Sequence, residues 1–182
     1  MKNNNTLHSV AVFMFISGLI LSTPSFAQKN PSLSDPEVAS VAVVANQIDI
    51  RNGELAQKKS KDPEVLKFAQ TMIDDHNAVI GQAVALAKKL GVTPKDNTVS
   101  QGLLKDADKT LKSLDSKSEA DFNKAYVNNE VAYHKAVINA IETLLIPETD
   151  NQELKQLLQN VVPALKAHLG HAEMLQNNLA KK

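Results

Sequence analysis

DPEVLKFAQTMIDDHNAVIGQAVALAKKLG, residues 62–91, decides the fold class. It opens on Asp62-Pro63-Glu64, an N-cap, a proline at the first helical position and an acid in the first turn. Val65, Phe68, Met72, Val79, Ala83, Leu86 and Leu90 then recur by threes and fours, which puts them on one buried stripe of a helix. Lys88 and Lys89 suit the negative end of the helix dipole, Gly91 is the expected C′ residue, and Pro94 bars continuation. One residue breaks the stripe: His76, four after Met72 and three before Val79.

The same punctuation recurs on either side. Asp35-Pro36-Glu37 starts an earlier helix with Val38, Val41, Ala45, Ile48, Asn52 and Leu55 on one stripe. Ser116 with Glu119 forms a capping box for a helix reaching about Leu145 through Phe122, Tyr126, Val137, Ile141 and Leu144, and ended by Pro147. Asp150 with Glu153 opens a last helix carrying Leu154, Leu158, Val161, Leu165, Ala172, Leu175 and Leu179, with a kink expected at Pro163. Residues 92–117 form a connector that carries its own short helix, about Val99 to Leu114. Strand alternation and hairpin turn signals are missing. The expectation is an all-α protein: a ferritin-like four-helix bundle of two antiparallel hairpins, 35–91 and 117–180, joined by a long connector. A plain up-down bundle with the connector helix as a fifth element is the alternative.

Composition narrows the function. Of 182 residues, 20 are Lys or Arg and 20 are Asp or Glu, so no basic excess exists to hold nucleic acid or an anionic membrane. Cysteine is absent, which removes disulfides, thiolate metal sites and a cysteine nucleophile. At the N-terminus Lys2, the apolar run Val10 to Leu21, Pro24 and Ser25-Phe26-Ala27 read as a secretory signal cut after Ala27. Residues 1–27 are then the signal and 28–182 a periplasmic domain. No later stretch reaches the ~20 apolar residues a spanning helix needs, so no integral membrane insertion is expected after cleavage.

The informative residues are polar side chains caught on or beside the apolar stripes. His76 and His168 sit centrally in theirs, His134 lies three before Val137, and Asp49 borders the stripe of the first helix. At ~1.5 Å per residue, Asp49, His76, His134 and His168 stand about 18, 22, 22 and 28 Å from their hairpin turns. Imidazole and carboxylate suit one divalent ion, Zn, Mn, Fe, Ni or Cu, and bundle cores hold such ions. Asp49, His76, His134 and His168 are therefore the candidate ligands. Glu130, one turn before His134, reads as exposed in preference to ligating, and His171 as a ligand or a neighbour facing solvent. Asp75 is positioned to orient a histidine or to lie on a solvated acidic face. No histidine has an acid three residues before it, which disfavours a carboxylate-bridged di-iron centre. No catalytic constellation is complete, so the reading leans away from an enzyme. The alternative is a metal-free envelope bundle acting through a protein partner or a homo-oligomer.

Several segments resemble a large bacterial family of exported proteins of unknown function, often labelled outer-membrane proteins. They are Ala45-Asn46-Gln47-Ile48-Asp49-Ile50, Lys61-Asp62-Pro63-Glu64-Val65, Met72-Ile73-Asp74-Asp75-His76, His134, and Val162-Pro163-Ala164-Leu165 with His168. The resemblance covers about residues 37–175 and implies an exported ferritin-like bundle. Members often carry Glu where this chain has Asp49.

Overall fold

The computed structural model describes residues 32–181, so the expected signal segment lies outside the described residues. Five main helices follow one another: α1 Asp35–Lys59, α2 Pro63–Leu90, α3 Thr98–Asp115, α4 Glu119–Ala140 and α5 Gln152–Ala180. Past Ala140, α4 runs on through a π-helical turn, Ile141–Leu145, and a last turn, Ile146–Glu148. The expected single helix ending at Leu145 is thus corrected, and Pro147 sits inside that last turn. Pro147 has no N–H to give to the turn before it, and the helix ends one residue later, at Glu148.

Three helix starts differ from expectation, each because a neighbouring side chain makes the better cap. Ser34 caps α1, and Glu37 reaches back to accept from its N–H at 3.0 Å. That leaves the Asp35 carboxylate to accept from the N–H groups of Asp150 and Asn151 at 2.9 and 3.0 Å, pinning the start of α1 to the start of α5. Ser118, not Ser116, caps α4, and Asn151, not Asp150, caps α5. Asp62 and Gly91 cap α2 as read, Gly91 in the left-handed region at φ 65°. Pro163 is exposed within a helix that continues across it.

Loop contacts fix the directions. Lys95 N donates to Pro36 O at 2.9 Å, so α3 begins beside the start of α1. Lys59 reaches Asp115 at the far end, so α3 runs parallel to α1 along its outside. Lys61 then meets Glu119 at 2.8 Å, and Leu33 N meets Glu148 at 3.3 Å, so α4 runs back against α1. Antiparallel pairs α1–α2 and α4–α5 pack together, and α3 carries the chain back along the whole length between them. Gly53 marks the closest approach of α1 to α2: a Cβ there would lie 3.0 Å from Ala69 O and 3.0 Å from Ile73 Cγ1.

The core divides at mid-height. Toward the α1–α2 turn, Ala56, Val65, Phe68, Met72, Phe122, Tyr126, Ala172, Leu175 and Leu179 belong to one hydrophobic cluster. Toward the other end, α2 contributes no buried side chain after His76. Val79, Ala83, Leu86 and Leu90, expected inside, are only half-buried. Among the described residues no helix is long and apolar enough to cross a membrane.

Candidate metal centre

Mid-height is where the polar residues meet. Asp49 on α1, His76 on α2, Glu130 and His134 on α4 and His168 on α5 are all buried. The three imidazole centroids lie 5.5, 5.5 and 5.9 Å apart. One ligand atom from each of His76, His134 and His168 falls within 4.8 Å of the others, and the same holds for Asp49, Glu130 and His134. All four expected ligands are brought together. Glu130 is a correction: it is fully buried, because it continues the four-residue series Phe122, Tyr126, Glu130, His134 along the inner face of α4. His171 stays outside the cluster, edge-on to Phe68 at 5.1 Å.

Each histidine has one nitrogen occupied by an acceptor. Asn46 donates its amide N–H to Ala42 O at 2.8 Å, which turns its Oδ1 to accept from His76 Nδ1 at 2.7 Å. His134 Nδ1 donates to the backbone carbonyl of Glu130 at 3.0 Å. His168 Nε2 donates to Asp75 Oδ2 at 2.9 Å. An acceptor can be met only by an N–H, so these contacts assign the tautomers and leave a lone pair on His76 Nε2, His134 Nε2 and His168 Nδ1. All three of those atoms are buried and have no hydrogen-bond partner among the described residues. Asp49 Oδ2 stands 3.4 Å from His76 Nε2 and 3.6 Å from His134 Nε2, beyond hydrogen-bond length.

Burial sets the charges. It lowers the His76 imidazole to about 3, helped by His134 and His168 beside it. Burial likewise lowers His134 to about 4, against the pull of its bond to the Glu130 carbonyl. Both are neutral near pH 7, the form that ligates metal. Burial raises Asp49 to about 7, while contact with Glu130 opposes that rise. Glu130 is pushed well above the usual carboxyl range by burial first and then by Asp49. Tyr133 donates its hydroxyl to Ala45 O at 2.7 Å, whereas the buried Tyr126 hydroxyl finds no partner among the described residues.

A profile for a domain of unknown function, DUF4142, matches residues 21–175. The chain belongs to that family. Comparison with characterised proteins and with solved structures gives no match. The family supplies no reaction, so the chemistry rests on the five buried side chains. Three imidazole lone pairs and a carboxylate fit a borderline divalent ion, since nitrogen and oxygen donors with no thiolate suit Zn, Mn, Fe, Ni or Cu. Asn46, the Glu130 carbonyl and Asp75 supply the outer hydrogen bonds that orient histidine ligands in metal sites.

A cavity of about 690 Å³ runs from the imidazoles toward the other end of the bundle, beside a second buried apolar cluster that includes Val38, Val41, Ile138, Leu145, Leu158 and Leu165. Asp49, His76, His134 and His168 border it at mid-height, and the half-buried residues of α2 form one wall.

Proposed function

We propose that this protein is an exported, periplasmic, ferritin-like bundle that holds one divalent transition-metal ion on His76, His134, His168 and Asp49. The observation that carries the reading is the triple of partnerless lone pairs, each on a histidine whose other nitrogen is tied to an acceptor. A buried polar atom without a partner costs about 1–3 kcal/mol, and one ion satisfies all three at once. The long crossover between two antiparallel hairpins supports the ferritin-like description. Glu130, beside Asp49 and His134, is a buried carboxyl that can release a proton as the ion's charge arrives.

Metal analysis of protein purified without a histidine tag tests the reading. One ion per chain is expected, with a rise in melting temperature, since a ligand that binds only the folded form must stabilise it. Less than about one ion in ten chains after reconstitution, with no thermal shift, would remove the metal. Export is tested separately: mass spectrometry of the protein recovered from the cell envelope should give a chain that begins at Gln28.

A further inference from the structure

The cavity beside the imidazoles is long. Its lining runs from Asp35 to Asn52 on α1, from Asp75 to Leu90 on α2 and from Leu154 to His168 on α5. The α2 stretch alone covers about 22 Å along the axis at ~1.5 Å per residue. Residues of α4 border it too, so the chamber lies between the helices and not on an outer face. Its walls are aliphatic: Val79, Ile80 and Leu86 of α2, Val41 of α1, and Leu158 and Val161 of α5. The α2 members are half-buried, so apolar surface there is still open to cover. Tyr133 is the one aromatic ring besides the histidines on the lining, which leaves no platform for a flat ring system. The volume falls in the ~300–1,000 Å³ range of small-molecule sites.

The charged groups of the lining are already answered. Asp75 Oδ2 accepts from His168 Nε2 at 2.9 Å. Both carboxylate oxygens of Asp35 accept backbone N–H groups, those of Asp150 and Asn151. Asp106 pairs with Lys109 at 2.7 Å. Asp49 is the fourth ligand in the metal reading, and with three imidazoles it completes a tetrahedral set, so the ion offers no open position. That step alone rests on the metal reading. Lys88 is exposed at the end away from the histidines, where water solvates it. A ten-carbon chain is about 12 Å long at ~1.2 Å per bond, shorter than the chamber, so seating it fully draws its head in from water. A charge drawn inside meets no free counter-charge, whereas an uncharged head costs far less to bring in.

We propose that the chamber binds an uncharged, unbranched aliphatic molecule, its chain along the α2–α5 wall and with no bond to the ion.

1-Decanol is the probe, titrated calorimetrically into protein expressed from the full sequence, zinc-loaded or chelator-treated. Decanoate, decylammonium and 1-butanol are the comparators. 1-Decanol should bind at least roughly tenfold more tightly than each of them. Zinc-loaded and chelator-treated protein should agree within roughly threefold. Ala83→Phe and, on the opposite wall, Ala164→Phe place a ring in the chamber and leave the metal ligands alone. Each should weaken 1-decanol by roughly fivefold or more with zinc stoichiometry unchanged.

Decanoate or decylammonium bound as tightly as 1-decanol overturns the uncharged head. Binding lost on zinc removal puts the head on the ion and also overturns the proposal. So does 1-decanol no tighter than 1-butanol, or indifferent to both wall variants. In each of these cases zinc at one per chain leaves the metal reading standing. Failure of zinc to bind, with 1-decanol still held against both charged comparators, sinks the metal reading and leaves the chamber's ligand as proposed. A dimer that both wall variants break and 1-decanol leaves intact assigns the chamber to a second copy of the chain and overturns the proposal.

Discussion

The same four helices build two different interiors on either side of the histidines. Toward the α1–α2 turn, Val65, Phe68, Met72, Phe122 and Tyr126 are wholly inside, and Phe122 and Tyr126 stack with ring centroids 6.0 Å apart. Toward the other end the apolar residues of α2 are only half-buried and line a chamber, with Leu86 alone of them packed against the second apolar cluster, which α1, α4 and α5 supply with Val38, Val41, Ile138, Leu158 and Leu165. Both ends obey the same three-and-four periodicity. Periodicity reports which face of a helix is apolar, not what fills the space in front of it. The metal-competent cluster sits at the boundary, with the aromatic cluster on one side and the cavity on the other.

The sharpest way to break the comparison is at the boundary itself. His76→Ala or His134→Ala should abolish tight metal binding. Asn46→Ala or Asp75→Ala, which remove only an outer hydrogen bond, should cost about 10–100-fold in affinity. Calorimetric titration with zinc distinguishes the two classes, and equal losses in both would mean that the assignment of ligands and outer partners is wrong. Next in size is the contrast between the two interiors. Phe68→Ala should destabilise by about 3–5 kcal/mol, whereas Leu86→Ala, on the chamber wall, should cost under about 1.5 kcal/mol because it is already half out of the core. Urea unfolding of the metal-free proteins measures both, and equal costs would erase the distinction between a packed and an open end. Gly53→Ala should cost about 1–3 kcal/mol by overpacking, since the new methyl meets the Ala69 carbonyl and Ile73. It should also perturb zinc binding, because Asp49 lies one turn away.

The smallest effect is one of pH. Glu130 is raised above its ordinary value, so the folded protein keeps a proton that the unfolded chain releases. Its contribution is full below pH ~4.5 and is lost as pH rises toward the folded value. Glu130→Gln keeps the neutral form. The melting temperature of the chelator-treated variant should gain on that of wild type from pH ~4.5 upward. Parallel curves from pH 4 to 9 would show that Glu130 is ionised at all these values or makes no difference to folding.

Much of this was legible in the residues. Helix existence followed from Pro-Glu starts, capping residues and periodic leucines, and the four candidate ligands were exposed as polar interruptions of apolar stripes. Asp49, at the edge of its stripe, is fully buried because it lies between α2 and α4, its Oδ2 3.4 Å from His76 Nε2 and 3.6 Å from His134 Nε2. Glu130 carried a visible signal, the four-residue spacing Phe122, Tyr126, Glu130, His134. The general rule that glutamate is seldom inside points the other way. Asn46 could not be found from one chain, because its role depends on an amide turned by Ala42 toward a ring thirty residues away. The half-buried state of Val79 to Leu90 was equally hidden, since it depends on how far the two hairpins splay and not on any property of α2.

The π-turn at Ile141–Leu145 has a consequence for the length of the chain. Upstream of it a run of four-residue steps aims Phe122, Tyr126, Glu130, His134 and Ile138 inward. In a helix of 3.6 residues per turn each such step overshoots by about 40°. The wider turn absorbs one residue, so Leu145 and Thr149 still face the core beyond it. Numbering is therefore elastic at this point and stiff above it. A chain lacking Thr143, an exposed residue of the wide turn, can close that turn to ordinary helix with both flanks in phase. A chain lacking Asn128 would swing everything before the gap by about 100° relative to everything after it, taking Phe122 and Tyr126 out of step with His134. Insertions and deletions among relatives should collect at residues 141–145 and avoid residues 122–138.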